Sequence, residues 1–147
     1  MGIRHLRGDL FALGLPALAH GCNCAGSMSG GIARAFRAMD EAMHAEYRRL
    51  CSEGEFRLGG FLRWRLDDGT LVYNLATQQR PGADARLGAI ADSVTAMLAD
   101  AEQQGIREVG VPHLGAGIGG LAWADVRQVL EEAGQASPVL LTVVARG

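Results

Sequence analysis

Two glycine-rich stretches carry the chemistry to which this chain of 147 residues is best suited. Asn23-Cys24-Ala25-Gly26-Ser27-Met28-Ser29-Gly30-Gly31 runs into a helical pattern at Ile32, and Gly115-Ala116-Gly117-Ile118-Gly119-Gly120 leads to another at Trp123. Loops between a strand end and a helix start present free backbone N–H groups and the positive end of a helix dipole, a combination that holds anions. Two such loops on one side of a sheet would grip a pyrophosphate from both sides. The second loop matches G-x-G-x-x-G, but a nicotinamide site needs that loop after the first strand, and here it falls near the C-terminal end.

Few side chains near these loops can move protons or form covalent bonds. All 14 basic residues are arginine, so no lysine can act as a Schiff-base former, a covalent nucleophile or a P-loop ligand. His20 and His113 are candidate acids or bases near neutral pH. His20 lies inside an apolar run, where a buried core histidine is the competing reading. His113 precedes the second loop and is either a cation for a diphosphate or a rim residue. Gln78 and Gln79 are candidates to hydrogen-bond a nucleobase or ribose. Cys22, Cys24 and Cys51 form a C-x-C pair plus one, which reads as reduced thiols in a cytosolic protein and lacks the second ligand pair of a zinc site. No metal and no resident cofactor are expected.

The formal net charge is -2, with arginine spread along the chain and no basic stripe, so stable duplex nucleic-acid binding is not expected. No apolar run of about 18 residues exists, and the first ten residues carry charges where a signal peptide would be apolar. These features point to a cytoplasmic, monomeric single domain over residues 1–147 with no membrane partner.

The elements that must position the loops follow from periodicity. Ile3 to Leu6 and Ala17 to Cys22 read as strands, and Ile32, Ala35 and Phe36 recur at helical spacing. Glu41 to Cys51 is a second helix with Met43, Tyr47 and Leu50 on one face. Phe61 to Leu66 and Leu71 to Ala76 flank Asp68-Gly69, which predicts an antiparallel hairpin. Leu87 to Ala101 is the longest helix, stopped by Gly105. Val109 to Pro112, Trp123 to Ala133 and Val139 to Val144 complete the order β-β-α-α-β-β-α-β-α-β. That order predicts an α/β fold, a three-layer α/β/α sandwich around a central mixed β-sheet.

Several stretches together resemble the macrodomain, an ADP-ribose-binding family, across Ile3 to Val144. They are Gly8-Asp9-Leu10-Phe11, Ala19-His20-Gly21-Cys22-Asn23, Met28-Ser29-Gly30-Gly31-Ile32-Ala33, Tyr73-Asn74-Leu75-Ala76-Thr77 and Pro112-His113-Leu114-Gly115 onward to Leu121. The spellings are most similar to the subgroup of terminal ADP-ribose protein glycohydrolase and the antitoxins that remove ADP-ribose from DNA.

The resemblance implies that Asp9 accepts from the adenine amino group with the Leu10 and Phe11 backbone beside it, and that Asn23 meets the distal ribose. It implies backbone donors to one phosphate from Gly30, Gly31 and Ile32 beside Ser29. Gly115, Ala116, Gly117, Ile118 and Gly119 would wrap the other phosphate, with Thr77, Gln78 and His113 lining the same site. Asp9 and Asn23 can also serve as turn caps, and the glycines can serve tight turns alone. In the resembled subgroup a lysine after the central strand attacks the anomeric carbon and an aspartate in the second glycine loop assists. The matching positions here are Gln78 and Gly119, which excludes that covalent mechanism. The implied function is binding of ADP-ribose, free or on protein or DNA, with lysine-independent hydrolysis of ADP-ribosyl linkages on protein carboxylates or DNA bases, or of ADP-ribose esters. Asn23 is the leading catalytic candidate, with His20 and Gln78 behind it. The alternative is a reader that leaves the ADP-ribose intact.

Overall fold

The computed structural model describes residues 2–147. Six strands form one sheet: β1 (Gly2–Arg7), β2 (Ala17–Asn23), β3 (Phe61–Arg65), β4 (Leu71–Gln78), β5 (Glu108–Val111) and β6 (Leu140–Ala145). Four helices cover it: α1 (Ala33–Met39), α2 (Glu41–Ser52), α3 (Leu87–Gln103) and α4 (Trp123–Gln135). The strand order is β1-β6-β5-β2-β4-β3, with every pairing parallel except β3 against β4. The hairpin expected from Asp68-Gly69 is present, with Gly69 at φ 93°, a left-handed conformation that glycine adopts without a Cβ clash.

The α/β/α layering follows from where the apolar faces go. Ile90, Val94, Met97 and Leu98 of α3 and Val126 and Leu130 of α4 pack with Ala17, Tyr73, Val109 and Leu141 on one face of the sheet. Phe36 of α1 and Met43 of α2 pack with Leu18, Val72 and Val144 on the other. Strands buried on both faces need continuous apolar runs, and Leu71–Thr77 and Leu141–Val144 are buried throughout. Sequence periodicity finds all ten elements, and the differences lie at their ends. β4 continues two residues past Ala76, so Thr77 and Gln78 belong to the strand and do not lie beyond it. Short 3-10 turns occupy Leu10–Ala12 and Gly117–Gly119 within segments that read as plain loops.

His20 sits in this core, fully buried on β2. Its ring stacks on Phe36 at a centroid distance of 3.9 Å, and Nε2 lies 2.7 Å from Oδ1 of Asn74 on β4. Because the Asn74 amide donates through Nδ2 to the Leu62 carbonyl, its oxygen faces His20, so His20 Nε2 is the donor and the ring is held as the neutral Nε2–H tautomer. Burial pulls its pKa from 6.5 down to about 4, the Asn74 hydrogen bond opposing weakly. The unfolded chain therefore takes up a proton below about pH 6.5 that the folded chain refuses until about pH 4. The His20 contribution to stability is whole above pH 6.5 and falls by up to about 3 kcal/mol as pH drops to 4. Urea unfolding at a series of pH values should show a steeper loss over this window for the parent chain than for His20→Gln, and equal slopes would contradict the assignment.

Candidate functional site

All the parallel strands point the same way, and their C-terminal ends open into a cleft of about 1400 Å³. Open α/β sheets bind ligands beyond this edge. The cleft gathers Asp9, Leu10 and Phe11 after β1, Asn23 at the end of β2 and Thr77 and Gln78 at the end of β4. Ser29, Gly30, Gly31 and Ile32 form one wall, and His113 with Gly115, Ala116, Gly117, Ile118 and Gly119 forms the facing one. Every residue expected to touch ADP-ribose thus lines one cleft, while His20 lies beneath it in the core and is not on its surface.

The two walls share an electronic feature. Among the described residues, the backbone N–H groups of Gly30, Gly31 and Ile32, and those of Ala116, Gly117 and Ile118, meet no acceptor. Six unengaged donors around one opening make a neutral anion cradle. The second wall does not use a long helix for this, contrary to the sequence expectation. α4 starts at Trp123, outside the cleft lining, and the donors come instead from the 3-10 turn Gly117–Gly119. Glycine is required there: Gly117 is at φ 64°, and a Cβ on Gly119 would stand 2.9 Å from the Ala85 Cβ. The walls also meet, since the exposed Ile118 reaches across until its Cδ1 is 3.3 Å from where a Gly31 Cβ would be.

At one end stands Asp9. Its Oδ1 accepts from Phe11 N–H at 3.0 Å and caps the 3-10 turn, so the Phe11 amide is engaged. Oδ2 has no protein partner among the described residues and is free to accept from a ligand amine. Gly8 N–H donates to the Ala145 carbonyl at 2.8 Å, which fixes this corner to the last strand.

At the other end lies Asn23, whose side chain is almost fully engaged. Its Oδ1 accepts from Ala25 N–H at 3.0 Å, Ser27 N–H at 3.3 Å and the Tyr47 hydroxyl at 3.0 Å, and Nδ2 donates to the Ser27 carbonyl at 2.8 Å. One Nδ2 hydrogen remains, so Asn23 can donate to a ribose oxygen or a water but has no spare acceptor. Gln78 is complementary: Nε2 donates to the carbonyls of Arg80 at 2.6 Å and Gly82 at 2.9 Å, which leaves Oε1 as a free acceptor near Gly119. Thr77 is buried in the floor with its hydroxyl 3.4 Å from the Cys22 carbonyl. Ser29 Oγ pairs with Ser27 Oγ at 2.9 Å.

Proton-transfer groups are scarce at this end. Burial pushes the Cys22 thiol well up and the Cys24 thiol to about 11, so neither is a thiolate near neutral pH. His113 stacks face to face on Trp123 at 3.6 Å, and burial, His5 and Arg7 all hold its pKa below the ordinary value. That disfavours the imidazolium needed to pair with a phosphate.

Tyr47 is the functional residue that sequence reading assigns only to a core-facing helix surface. Its ring is buried against Phe56, and its hydroxyl donates to the Asn23 carbonyl at 2.7 Å as well as to the side chain. Nothing local to residue 23 signals a partner 24 residues away. Tyr47→Phe keeps the packing and removes these bonds, so stability should fall by about 1–2 kcal/mol, read as a lower urea midpoint at unchanged slope.

Comparison with known proteins places these features among relatives. The model of the Macro domain family matches residues 19–130. A DNA ADP-ribosyl glycohydrolase of Mycobacterium tuberculosis is 32% identical over 140 residues, covering 93% of this chain and 40% of that protein. The chain thus spans about two-fifths of that relative's length. An ADP-ribose 1''-phosphate phosphatase of Candida albicans is 30% identical over 144 residues, 88% of this chain and 92% of that one. Among solved structures, the macrodomain of Mycobacterium tuberculosis DarG superposes with a TM-score of 0.87 at 30% identity, over 97% of this chain and 96% of its own.

Proposed function

The chain belongs to the Macro domain family, and from that premise we propose that its cleft binds ADP-ribose and hydrolyses ADP-ribosyl linkages without a lysine. The observation that carries this reading is the pair of facing loops whose six amide N–H groups meet no acceptor. A diphosphate between them receives those donors from neutral backbone groups, which suits a chain with no lysine. Adenine then falls at the Asp9 end, where Oδ2 accepts from its amino group, and the distal ribose falls between Asn23 and Gln78.

At the distal ribose this chain contributes position more than proton transfer. The Asn23 Nδ2 hydrogen and the Gln78 Oε1 are a donor and an acceptor on neighbouring strand ends, suited to orient a ribose hydroxyl and a water. Among the described residues no carboxylate, thiolate or imidazole bonds to the side chain of Asn23 or Gln78, so the base for that water is an oxygen of the substrate's own diphosphate, and the amide cradle stabilises the charge that develops. His20, buried and held neutral, takes no part. The titratable groups beside Asn23, Cys22, Cys24 and Tyr47, all have raised pKa values, which also favours a second reading, in which the domain recognises ADP-ribose and leaves it intact. The bonds cleaved by the named relatives, ADP-ribose on DNA and a terminal phosphate on ADP-ribose, support the first reading.

Titration calorimetry with ADP-ribose, with AMP and NAD as controls, should give a saturable single site. Asp9→Ala should weaken it by about 1–3 kcal/mol. Mass spectrometry of ADP-ribosylated protein and ADP-ribosylated DNA incubated with the chain should then show release that Asn23→Ala slows more than it weakens binding. Binding without release on either substrate establishes the reader, and no binding overturns the assignment of the cleft.

A further inference from the structure

Gln78 offers an acceptor to the cleft only while its carboxamide keeps one orientation. An amide is nearly symmetric in shape, so half a turn would exchange the free Oε1 for the Nε2 donors with little change in packing. Two carbonyls prevent that exchange, those of Arg80 at 2.6 Å and Gly82 at 2.9 Å from Nε2. Both belong to the turn over residues 79–85, and one carboxylate holds that turn. Building on the reading of the cleft given above, we infer that Asp84 is a positioning residue for the distal ribose, acting through Gln78 by fixing the turn that orients its amide.

Asp84 is not part of the cleft lining, so its effect on a ligand is indirect. Its Oδ2 accepts from Gln79 N–H and from Arg80 N–H, both at 2.9 Å. With the Arg80 amide anchored, the following Pro81 restricts the Arg80 backbone to extended conformations, and together they aim the Arg80 carbonyl. The second acceptor is held by the same residue, since Asp84 N–H donates to the Gly82 carbonyl at 2.9 Å. The Arg80 N–H bond above all, then the Gln79 N–H and the Arg86 and Arg80 guanidinium groups, hold the Asp84 carboxyl below the usual carboxylate range against the opposing effect of burial. The carboxylate therefore stays ionised, and accepts both bonds, at neutral pH.

The ends of the turn are tied without the Asp84 side chain. Ala85 bridges back to Gln78, Ala85 N–H donates to the Gly119 carbonyl at 3.1 Å, and Arg86 N–H donates to the Thr77 carbonyl at 3.0 Å. Truncating Asp84 thus loosens the tip that carries the Arg80 carbonyl and leaves the Gly119 wall anchored. The acceptor oxygen matters more than the charge. Arg86 stands 3.6 Å from Oδ2 on the surface, where an ion pair adds little, whereas both N–H groups converge on one oxygen that an asparagine amide also supplies.

The test is calorimetry with ADP-ribose and with ADP, which lacks the distal ribose, so the ratio of the two affinities isolates that sugar. The parent chain is compared with Asp84→Ala, Asp84→Asn, Gln78→Ala and the double variant Asp84→Ala/Gln78→Ala. Asp84→Ala and Gln78→Ala should each cut the preference for ADP-ribose over ADP by about fivefold, the worth of one hydrogen bond. The double variant should lose no more than either single one, because the two residues serve one interaction. Asp84→Asn should keep the preference. A merely structural role weakens both ligands alike and leaves the ratio unmoved, and that result overturns the role of Asp84. Additive losses in the double variant overturn it too, as does an Asp84→Asn that behaves like Asp84→Ala or a parent with no preference for ADP-ribose over ADP. A parent that binds neither ligand overturns the cleft reading together with it.

Discussion

One residue in excess on β4 sets the floor of the cleft. Cys22 pairs with Ala76, but the next residue of β2, Asn23, pairs with Gln78, so Thr77 is bulged between them. A bulge turns the side chains beyond it and is common beside binding sites. Here it brings Asn23 and Gln78 level with each other at the strand ends and sends the Thr77 side chain beneath Gly21. A Cβ on Gly21 would lie 2.7 Å from Thr77 Oγ1, so the bulge and the glycine depend on each other. Beyond it the ladder resumes, with Cys24 N–H donating to the Gln78 carbonyl at 2.9 Å. The loop that holds Asn23 and leads to Gly30 and Gly31 starts from this point.

Polar groups around the floor are arranged so that each amide has a defined remainder. Asn23 is saturated as an acceptor and keeps one donor, and Gln78 is saturated as a donor and keeps one acceptor. That division comes from neighbours drawn from distant parts of the chain: Tyr47 on α2 for one, and the carbonyls of Arg80 and Gly82 for the other. A preorganised site of neutral dipoles stabilises charge without reorganising at the moment of reaction. Such donors do not depend on a lysine, which this chain lacks.

Much of this was legible in residue order. Ten elements and the hairpin follow from apolar periodicity and turn residues, because those signals are local. The glycine loops and Asp9 were legible for the same reason, since each is a contiguous stretch. What escaped is what only folding brings together. Tyr47 reads as one more apolar position on a helix face, the bulge at Thr77 leaves no mark in an apolar run, and the 3-10 turn at Gly117–Gly119 displaces the donors from the helix expected to supply them. Sequence alone leaves His20 between core and catalysis, and the stacked Phe36 with the Asn74 oxygen places it in the core.

The pairing of β1 with β6, from Gly2 against Leu140 to Arg7 against Ala145, has a consequence for how the molecule is made. Among the described strands β1 lies at the sheet edge and pairs with β6. During synthesis β1 leaves the ribosome before the other five strands, and its partner β6 leaves after them. The Asp9 corner, tied by Gly8 to Ala145, waits with it. Closing so long a loop is slow and leaves the early segment unpaired in the meantime. The anion cradle and the Asp9 corner therefore mature at different times, and the cleft is complete only once Ala145 has left the ribosome and paired with Arg7.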